Sequence, residues 1–450
     1  MIMKEIGKKI SILGVAGIIS MLICSGLLFL SSLIPQEAIR DTCFESALYF
    51  SDREPYVYLK SGNFSSMQDN YADCILTNII YQIDTDEPIR ATLEASYYSD
   101  DTETVNVSFL KSMEQNLDAN TEYVRYWHGS MVFLRPLLVF FNIMQIRVIL
   151  AVVVLLEIIA VAILLSKRFL GDTSVEYGRR MAICLILALL LVHAYMIAAS
   201  VEYVTSFMVM GAVLIVLLLK LKKQADYRAE GLFVISGVVT CFVDFLTTET
   251  ITFTIPMAFL LLVLYERGKL RTIKDSMQLM IGNGLCWILG YAGMFVAKWL
   301  FSYVAFGKTA VESAWSHAMV RVDGGVVADN VGYELTKEQQ LTGAIWQNLG
   351  CLFPIRNEMG PSQVMAWTLG TLIIVAALFY LFCEKEKHGG LFIPLFLLAL
   401  LPYARFLALS NHACRHYFFT YRAQLITVFV VLLFIAMNIL PGVLKFIRRK

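Results

Sequence analysis

The chain has 450 residues, of which 58% are hydrophobic and only 16% are charged. Soluble domains contain about 25% charged residues, so this composition excludes an ordinary soluble protein. Apolar runs recur along the sequence, and many approach the roughly 20 residues that cross a hydrocarbon core of about 30 Å. We therefore predict an all-α polytopic membrane protein. The net charge of +1 says nothing about partners, because acidic and basic residues are sorted into separate segments.

Several classes of soluble chemistry lack their sequence signals here. The nine cysteines form no CxxC pair and no zinc-ligand spacing, and no phosphate-binding glycine loop or HExxH motif occurs. We expect no cofactor, no metal site and no nucleic-acid partner, with a divalent metal as an open alternative. Cys43 and Cys74 share one predicted loop, where they either form a disulfide or remain free thiols.

Residues 1–33 predict a first membrane helix that begins in the cytoplasm. Three lysines precede an apolar run from Ile10 to Leu33, which is too long for a signal peptide. Residues 34–130 follow as a long polar segment. From Leu33 to Ser130 the chain holds 17 acidic and 6 basic residues, a net charge of −11. Apolar residues recur in it at helical spacing, so we predict an acidic extracytoplasmic cap with amphipathic helices.

The rest of the chain alternates apolar spans with polar connections. Residues 131–301 begin with a short re-entrant segment, broken at Arg135-Pro136, and continue with spans two to seven. A second extracytoplasmic loop covers residues 302–364, and residues 365–450 contain spans eight to ten. The ten predicted spans are 10–33, 147–166, 181–198, 203–221, 231–246, 251–265, 279–301, 365–383, 391–409 and 424–446.

The distribution of basic residues gives the predicted orientation. Lys and Arg cluster after the second, fourth, sixth, eighth and tenth spans, whereas the short connections 200–202 and 247–250 contain none. Short cytoplasmic loops are enriched in basic residues. We therefore expect a multi-pass protein of the plasma membrane with both termini in the cytoplasm.

Polar residues gather at the predicted outer ends of the spans, and these are the first candidates for chemistry. The densest cluster lies between spans nine and ten, where guanidinium and imidazole groups stand beside aromatic rings. Arginine suits bidentate binding of phosphate or carboxylate, and the alternative is pairing with the acidic cap. The candidate anion-binding residues are Arg405, His412, Arg415, His416 and Arg422, with Arg321 in the second loop.

A second group of polar and aromatic residues is expected at the entrance to a substrate site. Arg125, Trp127 and His128 lie where the cap re-enters the membrane, and an interfacial anchor is the alternative reading of this stretch. His317 and Arg321 are four residues apart, so they share one face if that segment is helical. Asp244, at the end of the fifth span, completes the group.

A general base would be a carboxylate close to the membrane on the outer side. Glu37 and Asp41 follow the first span and are four residues apart, so they are the catalytic candidates. Asp69 and Asp73 have the same spacing deeper in the cap. For each of these carboxylates the alternative is a solvated surface charge.

The order of these segments resembles the GT-C superfamily of membrane glycosyltransferases, which use polyprenyl-phosphate-linked sugars. The resemblance is architectural and covers nearly the whole chain: long external loops follow the first and seventh spans, and acidic residues come soon after the first. It implies that the catalytic base is Glu37 or Asp41. The phosphate contacts that it implies are Arg321, Arg405, His412, Arg415 and Arg422.

On this basis we expect an inverting transfer of a sugar from the lipid carrier to a cell-envelope glycan, lipid or protein at the outer face. The partners would be the polyprenyl-phosphate-linked sugar and the membrane lipids. One alternative is a transporter or flippase for a lipid-linked glycan. Another is a non-catalytic assembly or receptor protein whose acidic cap binds a partner.

Overall fold

The computed structural model describes residues 2–60, 63–166, 175–323, 335–353, 360–383 and 389–448, without the side chains of residues 2–6, 64, 317, 318, 322, 323, 389 and 390. Most of this chain is helical. Within the described residues, seven helices are long and apolar enough to cross a membrane. The prediction of an all-α multi-pass membrane protein is therefore confirmed, while the number of ten spans stays a prediction.

The chain begins with one long helix, and a group of short elements follows it. The long helix α1 (Ile2–Ser32) leads into the cap, which we define as residues 36–130. The short helix α6 (Met131–Leu138) then returns the chain to the bundle. The cap contains α2 (Gln36–Ser51), β1 (Tyr56–Tyr58), β2 (Met67–Asp69), α3 (Asn70–Tyr81), α4 (Pro88–Glu94) and α5 (Val105–Gln115).

The remaining helices form the bundle and a second group of short helices at its cap end. The first six are α7 (Ile143–Ser166), α8 (Val175–Leu191), α9 (Val201–Lys223), α10 (Glu230–Val243), α11 (Ile251–Glu266) and α12 (Ile273–Phe306). They are followed by α13 (Lys308–Asp323), α14 (Lys337–Gly350), α15 (Pro361–Phe382), α16 (Gly389–Ala408), α17 (Ser410–Arg415) and α18 (Tyr417–Thr420). The last helix runs through α19 (Leu425–Phe434), a π-helical turn (Ile435–Ile439) and α20 (Leu440–Arg448).

Local signals explain how the cap folds. Strands β1 and β2 pair antiparallel, with Tyr56 opposite Asp69. Asp69 then caps α3, because its carboxylate accepts a hydrogen bond of 2.9 Å from the N–H of Ala72. Thr104 caps α5 in the same way through the N–H of Val107. The result is four helices and one small hairpin packed over the bundle.

The core of the bundle is centred on α11. Every residue from Ile251 to Leu264 is buried, as expected for a helix that is apolar on all sides. The ring of Phe259 stacks on that of Phe429 in α19, with centroids 5.2 Å apart. This helix is short for a membrane span, but its neighbours shield it along its whole length.

The predicted break at Arg135-Pro136 has a structural use. Arg135 is fully buried in α6, and its Nε donates to the carbonyl of Ile34, just after α1, at 3.0 Å. It also donates to the carbonyl of Ile80 in the last turn of α3. Helix C-termini carry unpaired carbonyls and partial negative charge. One cation therefore holds the ends of two helices together.

The two cap cysteines are free. Cys43 and Cys74 are both buried and neither forms a disulfide. Burial raises the pKa of the Cys43 thiol to about 12, which makes it unreactive at neutral pH. Of the two alternatives that the sequence left open, the structure supports free thiols.

Candidate functional site

Asp73 joins the cap to the bundle. Its carboxylate is fully buried and lies 2.6 Å from Nε of Arg147, at the start of α7. The hydroxyl of Ser200 donates to it at 2.8 Å and the N–H of Val201 at 3.0 Å. Since Asp73 lies in the first turn of α3 and meets the first N–H of α9, it stands near the positive ends of two helix dipoles. The negative charge of Asp73 and the positive charge of Arg147 therefore compensate each other.

Asp69 lies one helical turn before Asp73 and is also buried. Burial raises its pKa to about 7; the N–H of Ala72 opposes this shift and the neighbouring Asp73 adds to it. The sequence treated Asp69 only as a second choice and allowed it to be a solvated charge, which the structure contradicts. A carboxyl group that ionises near neutral pH suits general acid–base catalysis.

Glu202 lies in the first turn of α9 and is half-buried. No described residue forms a hydrogen bond or ion pair with its carboxyl group. Asp69, Asp73 and Asp244 lie close enough to repel its negative charge, and Arg321 lies close enough to attract it. Glu202 is therefore a half-buried carboxyl group that other charges surround and that pairs with none of the described residues.

Asp244 comes next to this group at the end of α10. The hydroxyl of Ser206 donates to it at 2.7 Å, and the N–H of Thr247 donates at 3.0 Å. Burial raises its pKa to about 6, and the negative charge of Glu249 adds to the shift. Ser206 follows Glu202 by four residues, so Asp244 and Glu202 lie along the same face of α9.

Arg405 and His412 occupy the opposite part of the site. Nε of Arg405 lies 2.8 Å from a carboxylate oxygen of Glu249, while its Nη1 is buried without a hydrogen-bond partner. Nε2 of His412 lies 2.9 Å from the carbonyl of Leu246. Burial lowers the pKa of His412 well below its usual range, and His416, with its ring 4.7 Å away, lowers it further. His412 is therefore neutral.

Arg422 is a buried cation without a carboxylate partner among the described residues. Its guanidinium lies between two aromatic rings, 4.7 Å from the centre of Tyr203 and 4.9 Å from that of Tyr421. Two long hydrogen bonds of 3.3 Å reach the carbonyls of Phe418 and Ser65. Its Nε is buried and has no partner. A buried, uncompensated guanidinium suits an anion.

Arg321 and Arg125 flank the site through aromatic contacts. Arg321, on α13, lies 5.2 Å from the ring centre of Tyr126, and the hydroxyl of Tyr126 is buried without a partner. Arg125 stacks on Tyr123 at 3.9 Å. The aromatic rings hold these cations beside the acidic cluster.

Trp127 and His128 are packing residues of the cap. Nε1 of Trp127 donates to the carbonyl of Met294 in α12 at 2.8 Å, and the side chain is 1% exposed. Nε2 of His128 lies 3.2 Å from the carbonyl of Tyr123. Burial lowers the pKa of His128 to about 3, and the nearby charge of Lys298 adds to this effect. Trp127 therefore anchors the cap to α12, whereas His128 packs against the rings of Tyr123 and Phe245.

The other predicted residues lie apart from the buried cluster. Glu37 and Asp41 are exposed on α2, whose buried face carries other residues. The structure does not bring them to the arginines and histidines. Arg415 is half-buried and its Nε donates to Asn411 at 3.0 Å. The side chain of His317 lies outside the described residues.

The site is thus formed by six side chains at the cap end of the bundle, which we call the mouth: Asp69, Glu202, Asp244, Arg405, His412 and Arg422. Tyr203 connects its two sides. Arg422 stacks on the Tyr203 ring, and both Asp69 and Glu202 lie within electrostatic range of its hydroxyl. The mouth therefore places carboxyl groups and an uncompensated guanidinium around one aromatic side chain.

Sequence reasoning missed Glu202 as a candidate. The available signal was its position in the short connection 200–202, an acidic residue at the predicted outer end of two apolar spans. Among the described residues, no group of three or more His, Cys, Asp or Glu side chains is arranged to hold a metal ion. No protein-family model, curated protein or solved structure matches this chain.

Proposed function

We propose that this chain is a membrane-embedded glycosyltransferase that moves a sugar from a polyprenyl-phosphate carrier to an acceptor hydroxyl at the mouth. The observation that carries the proposal is the buried guanidinium of Arg422, which lies on the ring of Tyr203 without a counter-ion among the described residues and has the carboxyl group of Glu202 nearby. Nε of Arg422 is buried without a hydrogen-bond partner, and the half-buried carboxyl group of Glu202 forms no ion pair with a described residue. Folded proteins satisfy almost all buried polar groups, so each exception calls for an explanation.

The reaction would use these two groups in separate roles. Glu202 accepts the proton of the acceptor hydroxyl while that oxygen bonds to the anomeric carbon. The bond between the anomeric carbon and the phosphate oxygen breaks, and its electron pair leaves with the phosphate. Arg422 stabilises the growing negative charge on that phosphate, with the free Nη1 of Arg405 as a second donor.

Asp69 would set the protonation of Glu202. With a pKa of about 7, Asp69 carries a proton for part of the time at neutral pH. Two carboxyl groups in electrostatic contact titrate as a pair, so the state of one changes the proton affinity of the other. This arrangement would supply a base that titrates near neutral pH.

The position of the mouth supports a lipid-linked donor. Its cations lie at the ends of long apolar helices, where the headgroup of a membrane lipid would be found. A polyprenyl tail could remain among the apolar helices while the phosphate reaches Arg422. A soluble nucleotide sugar has no such requirement for a membrane.

A turnover assay tests the proposal. Purified wild-type chain is supplied with polyprenyl-phosphate-linked sugars and a panel of glycan and lipid acceptors, and labelled product is counted. We expect Glu202→Gln to lower the rate by about 100- to 10,000-fold, the usual contribution of a general base. The matched control is Glu37→Gln, which changes an exposed carboxyl group and should leave the rate unchanged. Loss of turnover in the control but not in Glu202→Gln would overturn the assignment.

A further inference from the structure

Glu157 is a carboxyl group within the membrane-spanning helix α7, away from the mouth. It lies 14 residues after the start of α7, which corresponds to about 21 Å along the helix axis at 1.5 Å per residue. The hydrocarbon core of a bilayer is about 30 Å thick. Glu157 is therefore at the depth of lipid chains, where an ionisable side chain requires a functional explanation.

The fold makes a specific place for this side chain against α9. A Cβ atom at Gly211 would lie 2.4 Å from Oε2 of Glu157 and 2.9 Å from its Cβ. Glycine at position 211 thus allows the carboxyl group to lie directly on the backbone of α9. Gly211 follows Glu202 by nine residues, or about 2.5 turns, so it lies on the face of α9 opposite the mouth.

Glu157 has no ion-pair partner among the residues that the structure describes. Its Oε2 is buried and has no hydrogen-bond partner in the described part of the chain. An isolated carboxylate in hydrocarbon costs far more free energy than the neutral acid.

We propose that Glu157 is an intramembrane proton-binding site, occupied by a proton in the folded protein and reachable from the lipid phase. The side chain is half-buried, and its neighbour Leu156 is 59% exposed on the outer surface of the bundle. A membrane-soluble reagent can therefore approach the carboxyl group between α7 and α9. This site is separate from the mouth and does not depend on the proposed transferase activity.

Hydrophobic carbodiimides are the class of reagent that would react with a protonated carboxyl group at such a site. The acid transfers its proton to a carbodiimide nitrogen while a carboxyl oxygen bonds to the central carbon. The O-acylisourea formed can move its acyl group to nitrogen and give a stable N-acylurea. The reaction is a net addition without a leaving group, and it needs the protonated acid.

The test compares two carbodiimides on the purified full chain in lipid vesicles. Dicyclohexylcarbodiimide, which dissolves in the membrane, and a water-soluble carbodiimide are applied separately, and modified peptides are located by mass spectrometry. We expect the first reagent to modify Glu157 and the second to modify exposed cap residues such as Glu37 and Asp41. Glu157→Gln should remove the adduct from this peptide.

Two results would overturn the proposal. One is an unmodified Glu157 in folded protein under conditions that modify it after unfolding in detergent. The other is equal modification by both reagents, which would mean that the group is in contact with water. In both cases turnover at the mouth is measured on the same preparation, so the two proposals are judged separately.

A double substitution tests the packing against α9. Gly211→Ala should lower the thermal unfolding temperature, because the new methyl group would occupy the place of the carboxyl oxygen. In a Glu157→Ala background the same substitution should lower the unfolding temperature much less, because the side chain that the new methyl group would contact is gone. An equal fall in the unfolding temperature in both backgrounds would show that the Glu157 side chain does not pack against Gly211.

Discussion

Asp73 and Glu202 are two acidic residues of the same region with opposite environments. Asp73 accepts hydrogen bonds from Ser200 and Val201 and pairs with Arg147 at 2.6 Å. Glu202, two residues after Ser200, is half-buried and pairs with none of the described residues. A fully satisfied carboxylate contributes to the fold, whereas an unsatisfied one next to it is available for a ligand or for proton transfer.

The same contrast separates two of the buried arginines. Arg147 has its carboxylate, and Arg422 has only aromatic rings and two long bonds to carbonyls. Both cations would be expensive to bury alone. The compensated one lies where the cap meets the bundle, and the uncompensated one lies in the mouth. The charge and burial of a side chain therefore do not by themselves identify a functional residue. What identifies it is whether the side chain has hydrogen-bond or ion-pair partners.

The largest effect on stability is expected from breaking the satisfied pair. Asp73→Ala leaves Arg147 buried and unpaired, and such a loss costs about 3–5 kcal/mol. Thermal unfolding in detergent measures the change. The double variant Asp73→Ala/Arg147→Met should recover part of the loss, because no buried charge remains. A stability within about 0.5 kcal/mol of wild type would show that the pair does not hold the cap.

The second effect is expected on the pH dependence of the free energy of unfolding, through Asp69. A carboxyl group whose pKa is higher in the folded chain binds more protons when folded, so the free energy of unfolding falls as pH rises through the shifted value. Asp69, raised from 3.8 to about 7, should make the protein less stable between about pH 4 and pH 7. Asp69→Asn should flatten this part of the pH profile, whereas Asp52→Asn, on the surface, should not.

A smaller effect is expected from Glu202→Gln on stability. The substitution removes an ionisable carboxyl group whose negative charge three neighbouring carboxyl groups would repel. The unfolding temperature should therefore stay the same or rise slightly, even though turnover is lost. A marked fall in the unfolding temperature would mean that Glu202 supports the fold, and it would remove the contrast with Asp73.

The smallest effect is expected from substitutions of Glu37 and Asp41, which the sequence analysis predicted as the catalytic residues. Glu37→Gln and Asp41→Asn change exposed side chains of α2 and should alter stability by no more than about 0.5 kcal/mol. Turnover should also be unchanged in both variants. A loss of turnover with either one would return the base to α2.

The sequence was informative where one physical rule dominated. Hydrocarbon thickness and apolar run length predicted the long helices, and the shortness of the segment at Arg135 predicted α6 as a separate element. The gathering of Arg405, His412 and Arg422 at one end of the helices was also expected from their positions. Each of these predictions depends on positions along single helices.

The sequence was uninformative where the answer depends on contacts between distant segments. Asp69 and Asp73 have the same spacing as Glu37 and Asp41, and only folding buries the first pair and exposes the second. Glu202 gains its role from residues more than 100 positions away in the chain, such as Asp69 and Arg321. No periodicity along the sequence contains that information.

The most direct test of the central claim is a binding measurement at the mouth. Thermal stability of the purified chain is followed while polyprenyl phosphate is added, with the matching polyprenol as the control. A ligand that binds only the folded state raises the unfolding temperature. We predict a rise with the phosphate that exceeds the rise with the alcohol, is lost in Arg422→Gln and persists in Glu202→Gln. Equal effects of phosphate and alcohol, or an unchanged rise in Arg422→Gln, would contradict a phosphate site in the mouth.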